Sequence, residues 1–401
     1  MPKIGLGFDV LEAATRRIAW MFDAFPKVCV SFSGGKDSTV MLHLVAAEAR
    51  RRNRRFAVFF IDLEAQYKST IDHVETCIDL HADISAVFWV SLPLHLRNAV
   101  SVYEPFWLCW DPSRRADWVR NPPSRAIPDE SAFPFFRRGM EFEEFVPAFN
   151  DWYAGNQAAA CVVGIRSDES LNRWRTIASR QKKCIDGRLW TTWSTKNSVN
   201  VYPIYDWKTE DIWTYHARTG EPHNKLYDLM HRAGLTIHQM RICQPYGDDQ
   251  RRGLWLFHLI EPETWARVVS RVNGANGGAL YVRESGNIMG NLKITKPPGH
   301  SWESFSTLLL NSMPERTSDH YRDKIAVFLH WWRERGCSPI PDENDPKQEA
   351  ERKAPSWRRI CKALLRNDYW CKGLSFTQQE SGAYERYKAI MKGRRNRWGI
   401  Y

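Results

Sequence analysis

The chain has 401 residues, 43% hydrophobic and 26% charged, with 57 Lys and Arg against 46 Asp and Glu and a net charge of +11. That length accommodates two or three domains. No apolar run reaches the roughly 18 residues of a membrane span, the first residues lack the pattern of a signal peptide, and the nine scattered cysteines without a CxxC pair fit a reducing cytoplasm better than a disulfide framework. The positive excess favours polyanions such as nucleic acid or a phosphorylated substrate.

Phe8, Leu11, Ala14, Ile18, Met21 and Phe22 recur at helical spacing and predict a helix over 8–24. A strand over 28–32 follows, then Ser31-Phe32-Ser33-Gly34-Gly35-Lys36-Asp37-Ser38-Thr39 and a helix over 38–52. Strand, glycine turn and helix N-terminus together make an anion cradle. Gly34 and Gly35 let the backbone approach a phosphate with no Cβ in the way. Ser33, Ser38 and Thr39 add hydroxyl donors, and Lys36 adds a point charge. Asp37 favours the helix dipole and could orient the loop. The spacing is not that of the GxxxxGK[ST] phosphate loop.

Residues 56–61 form a continuous apolar run, as in a buried parallel strand. It ends at Asp62, which could bind metal or ribose or cap a helix. A helix over 69–82 and a strand over 84–91 complete a β-α-β-α-β order. That order predicts an α/β fold: a doubly wound, mostly parallel sheet with helices on both faces. Ligands in such sheets sit at the carboxyl ends of the strands, where the phosphate loop, Asp62 and Glu64 all fall.

Residues 92–136, rich in Pro, Trp and Arg, read as an irregular insertion and a candidate lid. Its aromatic stretch at 103–110 is a candidate protein contact. An amphipathic helix over 141–154 leads into a strand over 158–165. Its end carries Gly164-Ile165-Arg166-Ser167-Asp168-Glu169-Ser170-Leu171-Asn172-Arg173, two arginines and two carboxylates at the same rim. Arg166 and Arg173 could clamp phosphates, since guanidinium suits bidentate recognition, or pair with Asp168 and Glu169. A strand over 200–204 and a helix over 208–217 follow, with Asp206 and Asp211 as helix-stabilising residues. Further helices are expected over 262–273, 319–335, 356–366 and 380–393, with a Gly- and Asn-rich loop over 273–300 and a linker over 338–355. The expected division is a nucleotide-binding domain over 1–235 and a mainly helical domain over 236–401. The basic runs at 50–55 and 392–397 are candidate nucleic-acid contacts or solvated ends.

Three elements in order resemble one family: SGGKDS at 33–38, the 164–173 element, and Tyr202-Pro203-Ile204-Tyr205-Asp206-Trp207 continuing to Trp213. Together they resemble the phosphoadenosine phosphosulfate (PAPS) reductase branch of the PP-loop ATP pyrophosphatases, over residues 27–218. Residues 240–250, 357–362 and 367–371 resemble a subgroup with a C-terminal domain of unknown function. That subgroup includes regulators of the immunoglobulin-binding-regulator type, which are described with a ParB/sulfiredoxin-like partner. The resemblance implies binding of ATP or a PAPS-like adenine nucleotide with Mg²⁺ on its phosphates. It also implies cleavage between the α- and β-phosphates, with an acceptor adenylylated and pyrophosphate released. Lys36, Asp37, Arg166 and Arg173 are then the catalytic candidates. Ser31, Ser33, Gly34, Gly35, Lys36, Asp37, Ser38, Thr39, Asp62, Gly164, Arg166 and Glu169 are the nucleotide-binding candidates.

One departure bears on the chemistry. PAPS reductases carry a nucleophilic cysteine in a C-terminal E-C-G-[LI]-H element, whereas here no cysteine follows Cys371. Sulfonucleotide reduction is therefore not expected, whatever the fold. Cys243, Cys361 and Cys371, with Cys337 or Cys184, could gather zinc or an iron–sulfur cluster. Cys243 or Cys184 could instead carry sulfur, as in PP-loop thiolases, and buried cysteines also serve as small hydrophobes. His223, His231 and His238 lack ligand spacing and read as structural. Two further functions stay open: a nucleotide-sensing regulator without turnover, and a nucleic-acid sulfur-modifying enzyme that binds DNA or RNA.

Overall fold

Helix α1 (Val10–Ala24) is capped by Asp9, which accepts from the Glu12 N–H at 2.8 Å. Its buried stripe comprises Ala14, Ile18, Met21 and Phe22. Strand and helix then alternate through β1 (Lys27–Ser31), α2 (Lys36–Arg51), β2 (Phe56–Ile61), α3 (Lys68–Leu80) and β3 (Ser85–Val90). The computed structural model describes residues 5, 7–101, 104–247, 254–272 and 294–376. The expected helix over 380–393, the basic run at 392–397 and most of the expected loop over 273–300 lie outside the described residues.

The insertion holds a small antiparallel hairpin, β4 (His95–Arg97) with β5 (Phe106–Leu108), and two 3₁₀ turns at Pro112–Asp117 and Glu130–Ala132. Then come α4 (Phe142–Ala154), β6 (Ala159–Val163), α5 (Leu171–Ala178), β7 (Thr191–Trp193), β8 (Ser198–Val201), α6 (Thr209–Thr219) and α7 (Leu226–Arg232). Helices α8 (Leu254–Ile260) and α9 (Pro262–Arg271) follow. Among these, α5, β7, α7 and α8 are not in the sequence reading. Strand β8 ends before the expected 200–204 segment does, because residues 202–205 turn there.

Six strands form one sheet in the order β3-β2-β1-β6-β8-β7. Every neighbouring pair is parallel except β7, which runs antiparallel on β8 at the edge. The expected doubly wound α/β sheet is what forms. Successive residues of β2 point to opposite faces. Val58 and Phe60 join α1, α2 and α6 in one core, while Ala57, Phe59 and Ile61 join α4, α8 and α9 in another. Burial on both faces is why β2 reads as an uninterrupted apolar run. Phe59 stacks on Phe149 of α4 at 3.8 Å between centroids, and Tyr67 stacks on Phe257 of α8 at 3.6 Å. Strand β1 lies between β2 and β6, so the chain leaves it toward both sides. The crevice at the carboxyl ends of β1 and β6 is the switch point where such sheets hold ligands.

A third core gathers Leu310, Tyr321, Ile325, Phe328, Ile360 and Leu364 from helices Trp302–Ser312, Glu315–Arg333 and Trp357–Leu365. A mainly helical C-terminal region was expected, although helix Trp302–Ser312 was not. Asn367 fastens this unit to the insertion by donating to the carbonyls of Ala99 and Ser101 at 3.3 and 3.0 Å. The 338–355 segment contains the short helix Pro346–Ala350, whose Glu349 accepts from Ser356 and Arg358 at 2.6 and 2.8 Å.

The 50–55 arginines lie at the surface with partners from the fold: Arg50, 41% exposed, pairs with Asp83, Arg51, 64% exposed, and Arg52 pair with Glu48, and Arg54 and Arg55 donate to backbone carbonyls. One surface expectation is corrected. The aromatic stretch of the insertion turns inward, with Trp107 and Trp110 buried. Among the described residues no helix is long and apolar enough to cross a membrane.

Candidate functional site

The phosphate loop joins the end of β1 to the start of α2. Gly34 takes φ +71°, and a Cβ there would meet the Cγ2 atoms of Thr70 and Val74 at 2.9 Å. Ser33 and Ser38 share a hydroxyl contact at 3.0 Å. Thr39 Oγ1 lies 2.9 Å from both the Gly35 carbonyl and His73 Nε2. The loop is thus tied down from within and from α3.

Residues outside the motif complete it. Asn224 donates to the Gly34 carbonyl at 3.0 Å and to Thr70 Oγ1 at 3.1 Å. The Lys36 N–H donates to the Tyr227 hydroxyl at 3.0 Å. Burial pushes the Tyr227 pKa up, so it stays a neutral hydroxyl. Lys36 is buried, with Nζ 3.5 Å from the Met240 carbonyl, 3.4 Å from Asp37 Oδ2 and 5.4 Å from the Tyr227 ring centroid. Asn224, Tyr227 and Met240 escaped sequence reasoning because they lie about 190 to 200 residues away in the chain.

The second rim element follows β6. Gly164 packs against the first turn of α2, where a Cβ would come within 3.1 Å of the Asp37 carbonyl carbon and the Ser38 nitrogen. Arg166, 2% exposed, donates from Nε to Asp37 Oδ1 at 2.5 Å. The partner is the phosphate loop itself, not the expected neighbours Asp168 and Glu169. Arg166 Nη1 is buried with no hydrogen-bond partner in the described structure. Lys36, Asp37 and Arg166 therefore form one charged cluster at the head of α2. Arg173 does not join it. Its side chain is 41% exposed and pairs with Glu169 at 3.0 Å, while Arg241 donates to the Glu169 carbonyl at 3.2 Å.

The carboxylates after β2 hold the insertion. Asp62 is fully buried and accepts from Trp89 Nε1 at 3.0 Å, from the Glu64 N–H at 3.0 Å and from Arg120 Nη2. Glu64, at φ +66°, binds Arg271 of α9 through contacts of 2.6 and 3.1 Å and accepts from the backbone of Trp110 and Val119. Asp206 pairs with Arg17 of α1 at 2.7 Å, and only Asp211 acts at the α6 cap, accepting from the Lys208 N–H at 2.7 Å. Ser31 closes β1 opposite Phe59 and Val163.

The cysteines do not assemble. Among the described residues no group of three or more His, Cys, Asp or Glu is placed to hold a metal. Cys361 and Cys371 are buried in the C-terminal unit, where burial pushes their thiols up to about 11 and about 12. Those two remain protonated and serve as packing.

Residues 27–91 and 130–234 match the family described as the phosphoadenosine phosphosulfate reductase domain. Residues 234–342 match a domain of unknown function, DUF3440. The fold is similar to a phosphoadenylyl-sulfate reductase from Candida auris, with 12% identity, TM-score 0.28, and 57% of this chain and 95% of that chain covered. It is also similar to an FMN adenylyltransferase from Candida glabrata in complex with ATP, with 16% identity, TM-score 0.29, and 56% and 62% covered. The uncharacterized protein MJ0066 of Methanocaldococcus jannaschii is 29% identical over 205 residues, 50% of this chain and 33% of that protein. The uncharacterized protein YbdN of Escherichia coli is 47% identical over 401 residues, 99% of this chain and 98% of that protein. The chain belongs to the family of YbdN, and in this chain a PAPS reductase domain is followed by a domain of unknown function.

Proposed function

We propose that the chain binds ATP, or a related adenine sulfonucleotide in its place, across the carboxyl ends of β1 and β6, and that with ATP it cleaves the α–β phosphate bond. The observation that carries this is Arg166. A guanidinium removed from water keeps a donor without a partner, beside the glycine turn that opens helix α2. Such a donor costs free energy unless an anion completes it, and the helix N-terminus favours the same charge.

In this reading the loop N–H groups, Lys36 and Arg166 hold the β- and γ-phosphates. An acceptor oxygen attacks the α-phosphorus, the bond to the bridging oxygen breaks, and pyrophosphate leaves while the acceptor's proton passes to water. The protein supplies position and charge rather than a nucleophile. Lys36 must turn from the Met240 carbonyl toward the phosphates, and its flexible stem permits that. Mg²⁺ would travel on the phosphates and neutralise charge there.

The test is pyrophosphate release from ATP and Mg²⁺, beside Lys36→Ala. Release that falls by at least about a hundredfold in the variant, as for loss of one transition-state donor, supports the reading. Equal release from both proteins overturns it.

A further inference from the structure

We propose that the outer face of α5 and the loop behind it bind a single-stranded polynucleotide, the acceptor of the proposed adenylyl transfer. The word acceptor rests on the reading above, whereas the binding surface stands on its own observations.

Helix α5 begins five residues after Arg166, within the rim element, so its first turn lies close in the chain to the nucleotide edge. Leu171 is 61% exposed and Trp174 46% exposed. They sit three residues apart and share one helix face with Arg175, while Ile177 is the one buried residue of the helix. A large indole left in water beside a leucine marks a contact surface.

Charge identifies the occupant. Residues 171–188 hold six arginines and lysines and one carboxylate, Asp186. Arg175, Arg180 and Lys183 are exposed and have no acidic partner within ion-pair distance among the described residues. Arg173 and Arg241, 41% and 42% exposed, flank them and neutralise Glu169. By contrast, the surface arginines of the 50–55 run have carboxylate or backbone-carbonyl partners. A strip of unpaired cations interrupted by an exposed indole is the composition of single-strand binding, in which cations follow the phosphates and a ring stacks on a base.

The transfer step balances as before. An oxygen of the strand attacks the α-phosphorus, its proton goes to water, and pyrophosphate carries away the electron pair of the broken bond.

The experiment measures anisotropy of fluorescein-labelled dT20 and U20 against the full chain from 50 to 300 mM salt. Trp174→Ala, Arg175→Ala/Arg180→Ala and Lys36→Ala are compared, with pyrophosphate release assayed in parallel. Trp174→Ala should bind about ten- to a hundredfold more weakly. The double arginine variant should lower the log–log salt slope by about 1.4, as for two lost contacts to a single strand. Lys36→Ala should bind the strand normally. Preference for one oligonucleotide names the sugar. No binding at 50 mM salt, or binding that neither surface variant weakens, overturns the surface. A dimer that Trp174→Ala dissociates would make this face a contact between copies and overturn it equally. Loss of the surface with Lys36-dependent release intact leaves the nucleotide reading standing, and the reverse result removes that reading alone.

Discussion

Arg166 reaches back from the end of β6 to Asp37 in the first turn of α2, Nε to Oδ1 at 2.5 Å. The contact spans 129 residues of sequence and joins the two motifs at one corner. Asp37 holds the Nε edge of the guanidinium, and Nη1 is left as the donor without a partner. The carboxylate thereby acts as a positioning group for the arginine.

Arg166 and Asp37 should therefore separate in their effects. Arg166→Ala removes a donor to the phosphates and should lower pyrophosphate release about 10²–10³-fold. It should also cost about 1.5–3 kcal/mol of stability for a charged hydrogen bond. Asp37→Asn keeps the cation but loosens its aim, and should raise the KM for ATP more than it lowers kcat. Urea unfolding and steady-state kinetics on both variants check this, and equal losses in the two would show that Asp37 does more than position.

Gly34→Ala tests the loop geometry. The left-handed backbone costs a non-glycine residue about 1–2 kcal/mol, and the clash with Thr70 and Val74 at 2.9 Å adds about 1–3 kcal/mol of overpacking. Gly187 has the same φ of +71° with nothing within 4 Å, so Gly187→Ala carries the backbone cost alone. The difference in melting free energy between the two variants measures the packing, and equal values would remove it.

Acid should destabilise the protein before its carboxylates titrate. Burial holds His73 down to about 3, and His81 and His216 each down to about 4, from the ordinary 6.5. Between pH 6.5 and 4 the unfolded chain binds protons that the native state refuses. The contribution to stability is complete above 6.5 and is lost as pH falls toward the folded values. Each group costs about 1.4 kcal/mol per pH unit in that window. Denaturant unfolding should be flat above pH 7 and fall steadily from 6.5 to 5. His216→Phe should make that fall shallower by one proton, and an unchanged slope would show that His216 titrates outside the window.

The buried pair of Glu64 and Arg271, 0% and 2% exposed in their side chains, should lock the insertion. Removing one partner leaves an uncompensated charge and costs about 3–5 kcal/mol. Arg271→Met should therefore speed tryptic cleavage at Arg114, Arg115 and Arg120. Replacing both residues, as in Glu64→Met/Arg271→Met, should recover only part of the loss, because the Trp110 and Val119 N–H groups then lose their acceptor. Cleavage at the native rate in the single variant would place the lock elsewhere.

The sequence reading succeeds where a local pattern is also a tertiary fact. Residues 56–61 match β2 to the residue because a strand buried on both faces has no polar side to interrupt it. It fails at α5, whose apolar residues Leu171 and Trp174 face outward, so no inward stripe announces the helix. It fails at β7, which has three residues and an antiparallel edge position. Asp62 was a candidate ligand from its place at a strand end, yet Arg120, 58 residues on, encloses it.

By itself the sequence determined the phosphate loop, because strand, glycine turn and helix N-terminus are contiguous and their geometry is set by neighbouring residues. It also determined the parallel sheet, through alternation of buried strands and amphipathic helices. The tertiary structure alone decided which charges meet. Arg166 found Asp37, Arg271 found Glu64, and the surface arginines of 50–55 found carboxylate or carbonyl partners while Arg175 and Arg180 have no acidic partner among the described residues. Ion pairing depends on distance and desolvation across the fold, and neither quantity is written in the spacing of residues along the chain.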